Sequence, residues 1–175
     1  QGVKLLEITQ NRVTEKQAIV EAGVEVAPYA VVNKEEDILN GLNQLGYPAV
    51  LKTARGGYDG KGQYVIRHQK DVKEAANLLT SGTCVLEKWV PFEKEISVIV
   101  CRNAKGETAI FPVGENIHRD NILHETIVPA RISEAAKEDA IQKAKTLAKS
   151  FQLVGILAVE MFLTSDGIYV NELAP

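Results

Sequence analysis

At 175 residues, 45% hydrophobic and 25% charged, the chain can bury a core as one domain or as two small lobes. A net charge of −3 leaves no electrostatic footprint for nucleic acid, and no apolar run approaches the roughly eighteen residues of a membrane span. Cys84 and Cys101 lie in apolar runs without metal-type spacing, as reduced core thiols do; with no signal sequence at the start, the expected setting is cytoplasmic. The chain begins without a methionine and stops one step past a strand, so it reads as a piece of something longer.

In chain order, residues 14–22 read as a helix ended by Gly23, and Asn33-Lys34-Glu35-Glu36 has the spacing of a capping box that opens a helix to residue 45. Strands follow at 47–54 and 63–67, then a helix at 71–79 and a strand at 83–88. Together these make a small α/β lobe over 24–90, entered through 1–23. From Glu95 the pattern changes to strands near 96–102, 108–113 and 122–129, a helix over 134–150 and a terminal hairpin. A second, larger and mostly antiparallel lobe over 91–175 follows, joined to the first by Trp89-Val90-Pro91-Phe92; ligand sites favour clefts between lobes. The predicted class is α/β of the α+β type.

The stretch Val50-Leu51-Lys52-Thr53-Ala54-Arg55-Gly56-Gly57-Tyr58-Asp59-Gly60-Lys61-Gly62 delivers a lysine from an apolar strand into a four-glycine loop. Glycines let backbone N–H groups converge on an anion, and Lys52, Arg55 and Lys61 outnumber Asp59, so a polyanion such as a nucleoside triphosphate suits it. A flexible hairpin with solvated lysines has the same spelling. A Walker loop is excluded because Gly62 follows Lys61 where Ser or Thr is needed, and Gln63-Tyr64-Val65-Ile66 reads as a strand where a dinucleotide fingerprint needs a helix. The loop therefore joins two strands, as a flap.

Near the end, 158–163 and 168–173 are apolar runs around Thr164-Ser165-Asp166-Gly167, a hairpin signature. A three-residue loop centred on Asp166 sets Glu160 opposite Glu172, with Cβ atoms about 4.5–5.5 Å apart. Such a pair needs a shared proton, a nearby cation or a divalent metal. A register slip of one residue would instead send the glutamates to opposite faces. At the joint, the backbone of Glu87-Lys88-Trp89-Val90 can read a nucleotide base and a carboxylate can accept from a sugar hydroxyl, although a polar hinge is equally built this way and Trp89 suits a packing anchor.

Loop, joint and acidic hairpin in this order resemble the ATP-grasp superfamily over nearly the whole chain, with two lobes closing over ATP and magnesium. The spellings Arg55-Gly56-Gly57-Tyr58-Asp59-Gly60-Lys61-Gly62-Gln63, Glu115-Asn116-Ile117-His118 and Asn171-Glu172-Leu173-Ala174-Pro175 are similar to the family of ligases that carboxylate 5-aminoimidazole ribonucleotide in purine biosynthesis. The resemblance implies that Arg12, Lys52, Gly57, Tyr58, Asp59, Gly60, Lys61, Gly62, Gln63, Glu87, Lys88, Trp89, Val90, Glu95, His118, Asn171 and Glu172 contact ATP. It implies that Glu160 and Glu172 bind magnesium, that Tyr58 and Lys61 face the acceptor, and that Lys52, Tyr58 and Lys61 serve catalysis. Bicarbonate is the implied co-substrate and a homodimer the implied assembly of the full-length protein. By strand parity alone, Asn171 points away from Glu172 unless the strand bends there.

Overall fold

The computed structural model describes residues 2–57 and 60–175. Two compact units emerge: residues 11–13 with 27–90, and residues 1–10 and 14–26 with 91–175. The entry region expected over 1–23 thus belongs mainly to the larger unit.

The smaller unit is a four-stranded antiparallel sheet in the order β1-β4-β2-β3, built from β1 (Tyr29–Val32), β2 (Ala49–Thr53), β3 (Gln63–Ile66) and β4 (Cys84–Lys88). Leu51 and Leu86 pair across β2 and β4, and on that face helix α3 (Glu35–Leu45) packs Ile38 and Leu42. Gly41 allows the close approach, since a Cβ there would lie 2.7 Å from a Leu86 methyl. The α3 start is capped as its spelling suggests, but Asp37 closes it: its carboxylate accepts from the N–H groups of Asn33 and Lys34 at 2.9 and 3.1 Å.

The helix expected at 71–79 is mostly not α-helix. One α-turn, α4 (Val72–Ala75), stands between 3-10 turns at Gln69–Asp71 and Ala76–Ser81. Asp71 caps the entry by accepting from Arg67 and His68 N–H, both at 2.9 Å.

In the larger unit the sheet order is β10-β9-β5-β7-β8, all antiparallel, with β6 (Thr108–Ile110) on β5. The strands are β5 (Lys94–Arg102), β7 (Gly114–Arg119), β8 (Ile122–Ile127), β9 (Gly155–Thr164) and β10 (Gly167–Ala174). One face carries Ile96, Val98, Val100, Leu157, Val159, Met161, Ile168, Val170 and Leu173, and buries them against Ala140, Ala144 and Leu147 of α5 (Glu134–Ser150). Alternation dictates the result: with these positions inward, residues 95, 97, 158, 160 and 162 face the other way.

Helices α1 (Val3–Thr9) and α2 (Arg12–Glu21) close the set; α2 buries Ile19 in the same core, and Glu15 accepts the N–H of Leu173 at 2.9 Å.

His118 lies on β7, a strand missed because Gly114-Glu115-Asn116 has no apolar alternation. One sequence expectation is corrected here. The β9–β10 turn has two central residues, Ser165 and Asp166, with Thr164 paired to Gly167. Its geometry is set by Thr164, whose hydroxyl accepts from Asp166 N–H at 3.1 Å and donates to Gly167 C=O at 2.9 Å, and by Gly167 at φ +141°.

Candidate nucleotide and metal site

Each unit carries a cluster of the predicted residues. In the smaller unit, Val50 pairs with Glu87 and Lys52 with Val85. Lys52 and Glu87 are therefore diagonal neighbours on the face opposite the core. The Lys52 ammonium sits 3.0 Å from the Glu87 carboxylate, with side chains only 15% and 5% exposed. An ammonium has three donors, so this pair fixes the lysine without exhausting it.

The flap expectation holds in its frame: residues 54–62 connect β2 to antiparallel β3, and Gln63 pairs with Lys52. The neck is closed by Thr53 N–H donating to Gly62 C=O at 2.8 Å. Gly62 has φ +74°, and a Cβ there would lie 2.7 Å from the Thr53 hydroxyl; a Cβ on Gly57 would lie 2.9 Å from the Lys61 carbonyl. Glycine is required at both positions by close approach. Gly56 and Gly60 also have positive φ, and Lys61 is exposed. Tyr58 and Asp59 lie outside the described residues. Arg12 docks on this frame: its N–H donates to Ala54 C=O at 2.9 Å, and its guanidinium comes within 3.7 Å of the position a Gly57 Cβ would take.

The joint is more constrained than its spelling suggests. Lys88 N–H donates to Pro28 C=O at 2.8 Å and Trp89 N–H to Pro48 C=O at 3.2 Å. Two of the N–H groups expected to read a base are thus engaged inside the unit. Trp89, expected as a packing anchor, is instead 39% exposed.

In the larger unit the face opposite the core is polar. Glu160 on β9 stands opposite Glu172 on β10, as expected, yet by another route. The two-residue turn pairs Val170 with Met161, which would leave Asn171 opposite Glu160. A β-bulge after Val170 makes Asn171 an extra residue and restores Glu172 to Glu160. Val170 and Leu173 are buried while Asn171 and Glu172 between them are not, so both turn to the polar face. The bend that parity demanded for Asn171 is this bulge. Burial and the charge of Glu172 raise the Glu160 pKa; His118 opposes the shift and Glu95 adds to it.

Glu95 and Ser97 of β5 and Asn116 and His118 of β7 continue the face. The Glu95 carboxylate lies 3.1 Å from His118 Nδ1. Asn116 Oδ1 accepts from Thr126 Oγ1 at 3.0 Å and from Ser97 Oγ at 3.4 Å. Behind this face Glu115 is buried and held by Lys94 at 2.8 Å and by Arg131 through Nε at 3.0 Å and its backbone N–H at 3.2 Å. The Arg131 and Lys94 bonds bring its pKa down to about 2. Sequence reasoning assigned no role to Ser97, Asn116, Thr126, Glu115 or Arg131. Only the Glu115-Asn116 spelling hinted at two of them, because their partners are distant in sequence.

The donors available for a cation are two carboxylates and one carboxamide, all hard oxygen. Among the described residues no three or more His, Cys, Asp or Glu side chains converge as a metal cluster. Two facing carboxylates completed by ligand oxygens is the usual arrangement for magnesium beside a nucleotide, and the set fits it.

A glycine-rich hairpin loop based on a lysine in one unit, and an antiparallel sheet with an acidic face in the other, define an ATP-grasp protein. The chain belongs to the ATP-grasp domain family, which it matches over residues 17–175. It is 55% identical, over its whole length, to N5-carboxyaminoimidazole ribonucleotide synthase of Bacillus subtilis, of which it covers 46%. A crystal structure of an N5-carboxyaminoimidazole ribonucleotide synthetase in complex with ADP superimposes with TM-score 0.95 at 60% identity, covering the whole of this chain and 47% of that one. The Aspergillus clavatus synthase in complex with ADP and 5-aminoimidazole ribonucleotide gives TM-score 0.89 at 29% identity, over 99% of this chain and 46% of that one. The chain thus spans about half the length of the relatives it matches.

Proposed function

We propose that the chain is the ATP-binding portion of a ligase that carboxylates 5-aminoimidazole ribonucleotide with bicarbonate, yielding 5-(carboxyamino)imidazole ribonucleotide, ADP and phosphate. The observation that carries this is the 55% identity along the whole chain to a synthase of that reaction; the grouping of Lys52, Arg12 and the glycine frame supports it.

Bicarbonate is a poor electrophile. Its oxygen attacks the γ-phosphorus of ATP, the bond to ADP breaks, and the resulting carboxyphosphate has a good leaving group. The amine of the ribonucleotide then forms the C–N bond and phosphate departs. Lys52, held by Glu87, neutralises transferring phosphoryl oxygens, and the frame of Gly57, Gly60, Gly62 and Gln63 presents N–H groups to them. Arg12 supports the same loop. The segment Glu87, Lys88, Trp89, Val90 borders the base and ribose, while Glu95, His118 and Asn171 complete the nucleotide contacts. Tyr58 and Lys61 meet the acceptor. Glu160 and Glu172 hold magnesium, which when bound supplies charge neutralisation at the phosphates. A closed, water-poor site protects the anhydride.

We assign the full-length protein to the cytoplasm and expect a homodimer; no described helix is long and apolar enough to cross a membrane. The test is ADP release by the full-length protein with each substrate omitted in turn. Bicarbonate-stimulated turnover coupled to consumption of the ribonucleotide is expected. ATP binding without bicarbonate stimulation would make the protein a nucleotide-sensing module, and a biotin requirement would make it a carboxylase of the biotin type.

A further inference from the structure

Ser97 occupies the central strand of the larger unit's sheet, directly opposite Glu160 on one side and Gly114 on the other. Residues directly opposite on one face have Cβ atoms about 4.5–5.5 Å apart, within reach of a hydroxyl and a carboxylate. Ile96 and Val98 are buried in the core, so Ser97 faces the polar side with Glu160. Its neighbour leaves it room: a Cβ on Gly114 would lie 3.3 Å from Ser97 Oγ and 2.9 Å from the Thr126 methyl.

The hydroxyl is held loosely. Ser97 Oγ reaches Asn116 Oδ1 at 3.4 Å, the outer limit of a hydrogen bond, whereas Thr126 Oγ1 reaches the same oxygen at 3.0 Å. Asn116 Oδ1 therefore keeps a good donor if Ser97 turns away, and a single χ1 rotation separates the serine rotamers. A carboxylate that ligates a cation through one oxygen needs a donor on the other to fix its orientation, and such outer partners commonly matter 10–100-fold in metal affinity.

We propose that Ser97 is a positioning residue for the metal carboxylate, its hydroxyl turning from Asn116 to donate to Glu160 when a divalent cation is held there. This rests on the assignment of Glu160 and Glu172 as metal ligands. In this role Ser97 acts through Glu160.

The test is Mn2+ binding to the full-length protein in the presence of ADP, read as loss of the free-ion electron paramagnetic resonance signal, with thermal melting of the metal-free protein alongside. Ser97→Ala is expected to weaken Mn2+ binding by about 10–100-fold with an unchanged metal-free melt, and Ser97→Thr, which keeps the hydroxyl, to restore binding. Glu160→Gln is the control. If it weakens Mn2+ binding while Ser97→Ala does not, the role of Ser97 is overturned and the metal site stands. If Glu160→Gln itself leaves Mn2+ binding intact, the metal assignment fails and the Ser97 proposal with it. A Ser97→Ala protein that melts lower but binds Mn2+ normally would show a purely structural serine and also overturn the proposal.

Discussion

Glu160 and Glu172 face each other across β9 and β10 because Asn171 is one residue too many for the ladder. The bulge has two effects at once: it corrects the register left by a two-residue turn, and it adds a carboxamide beside the carboxylate without sending either side chain into the core. Like charges directly opposite are unfavourable, and burial adds to the cost of ionising Glu160.

Glu172→Gln should therefore act with opposite signs in two assays. On the proposed metal assignment it removes a ligand charge, so the magnesium requirement for ATP binding should rise. It also removes the cross-strand repulsion, so metal-free stability should be unchanged or higher by about 0.2–1 kcal/mol. Because the folded-state pKa of Glu160 is raised, the metal-free protein should be favoured while Glu160 is protonated and lose that stability as pH rises through the raised pKa. The variant should show a flatter loss. Urea unfolding in chelator across pH checks this, and a destabilised variant with normal magnesium dependence would refute the metal pair.

Deleting Asn171 should be tolerated by the fold. With it gone, Glu172 follows Val170 and still meets Glu160, and the alternation of buried Val170 and Leu173 becomes regular. Deleting Tyr169 instead moves Val170 off the core face. The first deletion is expected to melt as one cooperative transition with weakened nucleotide binding, and the second to fail to fold. Calorimetry on both, with ADP titration of the first, decides the matter.

Lys52→Met should cost both affinity and stability. The lysine is the ammonium partner of a carboxylate only 5% exposed, and removing one member of such a pair costs on the order of 3 kcal/mol. Adding Glu87→Gln should recover much of that stability without recovering ATP affinity. Equal recovery of both would mean that Lys52 only holds Glu87 in place.

Glu115 should govern acid sensitivity in the larger unit. Its pKa falls from an ordinary 4.5 to about 2 under Arg131 and Lys94. A depressed folded-state pKa contributes stability that is present above the unfolded value and lost as pH falls toward the folded one. Stability should thus decline between about pH 5 and pH 2 more steeply in the native chain than in Glu115→Gln. Parallel acid-unfolding curves for the two would remove Glu115 from this role.

Features governed by local chemistry were legible before the structure. Helix α5 runs over residues 134–150 as read, because Ser133 caps it by accepting Ala136 N–H at 3.2 Å. The flap's two strands followed from glycine placement. Strand β1 was missed: four residues carry too little alternation, and its identity comes from pairing with β4. Helix α1 was likewise too short to stand out. The 3-10 turns around α4 were read as one helix because i, i+3 spacing serves both helix types. The facing glutamates were found with the wrong turn length, and the error was cancelled by a bulge that alternation can only hint at. The Glu115 cluster and the Thr126-Asn116-Ser97 contacts join strands and loops 10 to 21 positions apart, beyond the reach of any local pattern.

The bond from Thr53 N–H to Gly62 C=O also marks a boundary for redesign. The β2–β3 ladder ends at Lys52 and Gln63, this bond lies just beyond it, and Ala54 is held in turn by its N–H to Thr83 C=O and its C=O to Arg12 N–H, both at 2.9 Å. On the proposed acceptor role of Tyr58 and Lys61, side chains beyond Ala54 could be exchanged to suit a different acceptor while the sheet is left alone, provided Thr53, Ala54, Gly57 and Gly62 are kept. Diversification of what the loop recognises is thereby uncoupled from the fold that carries it.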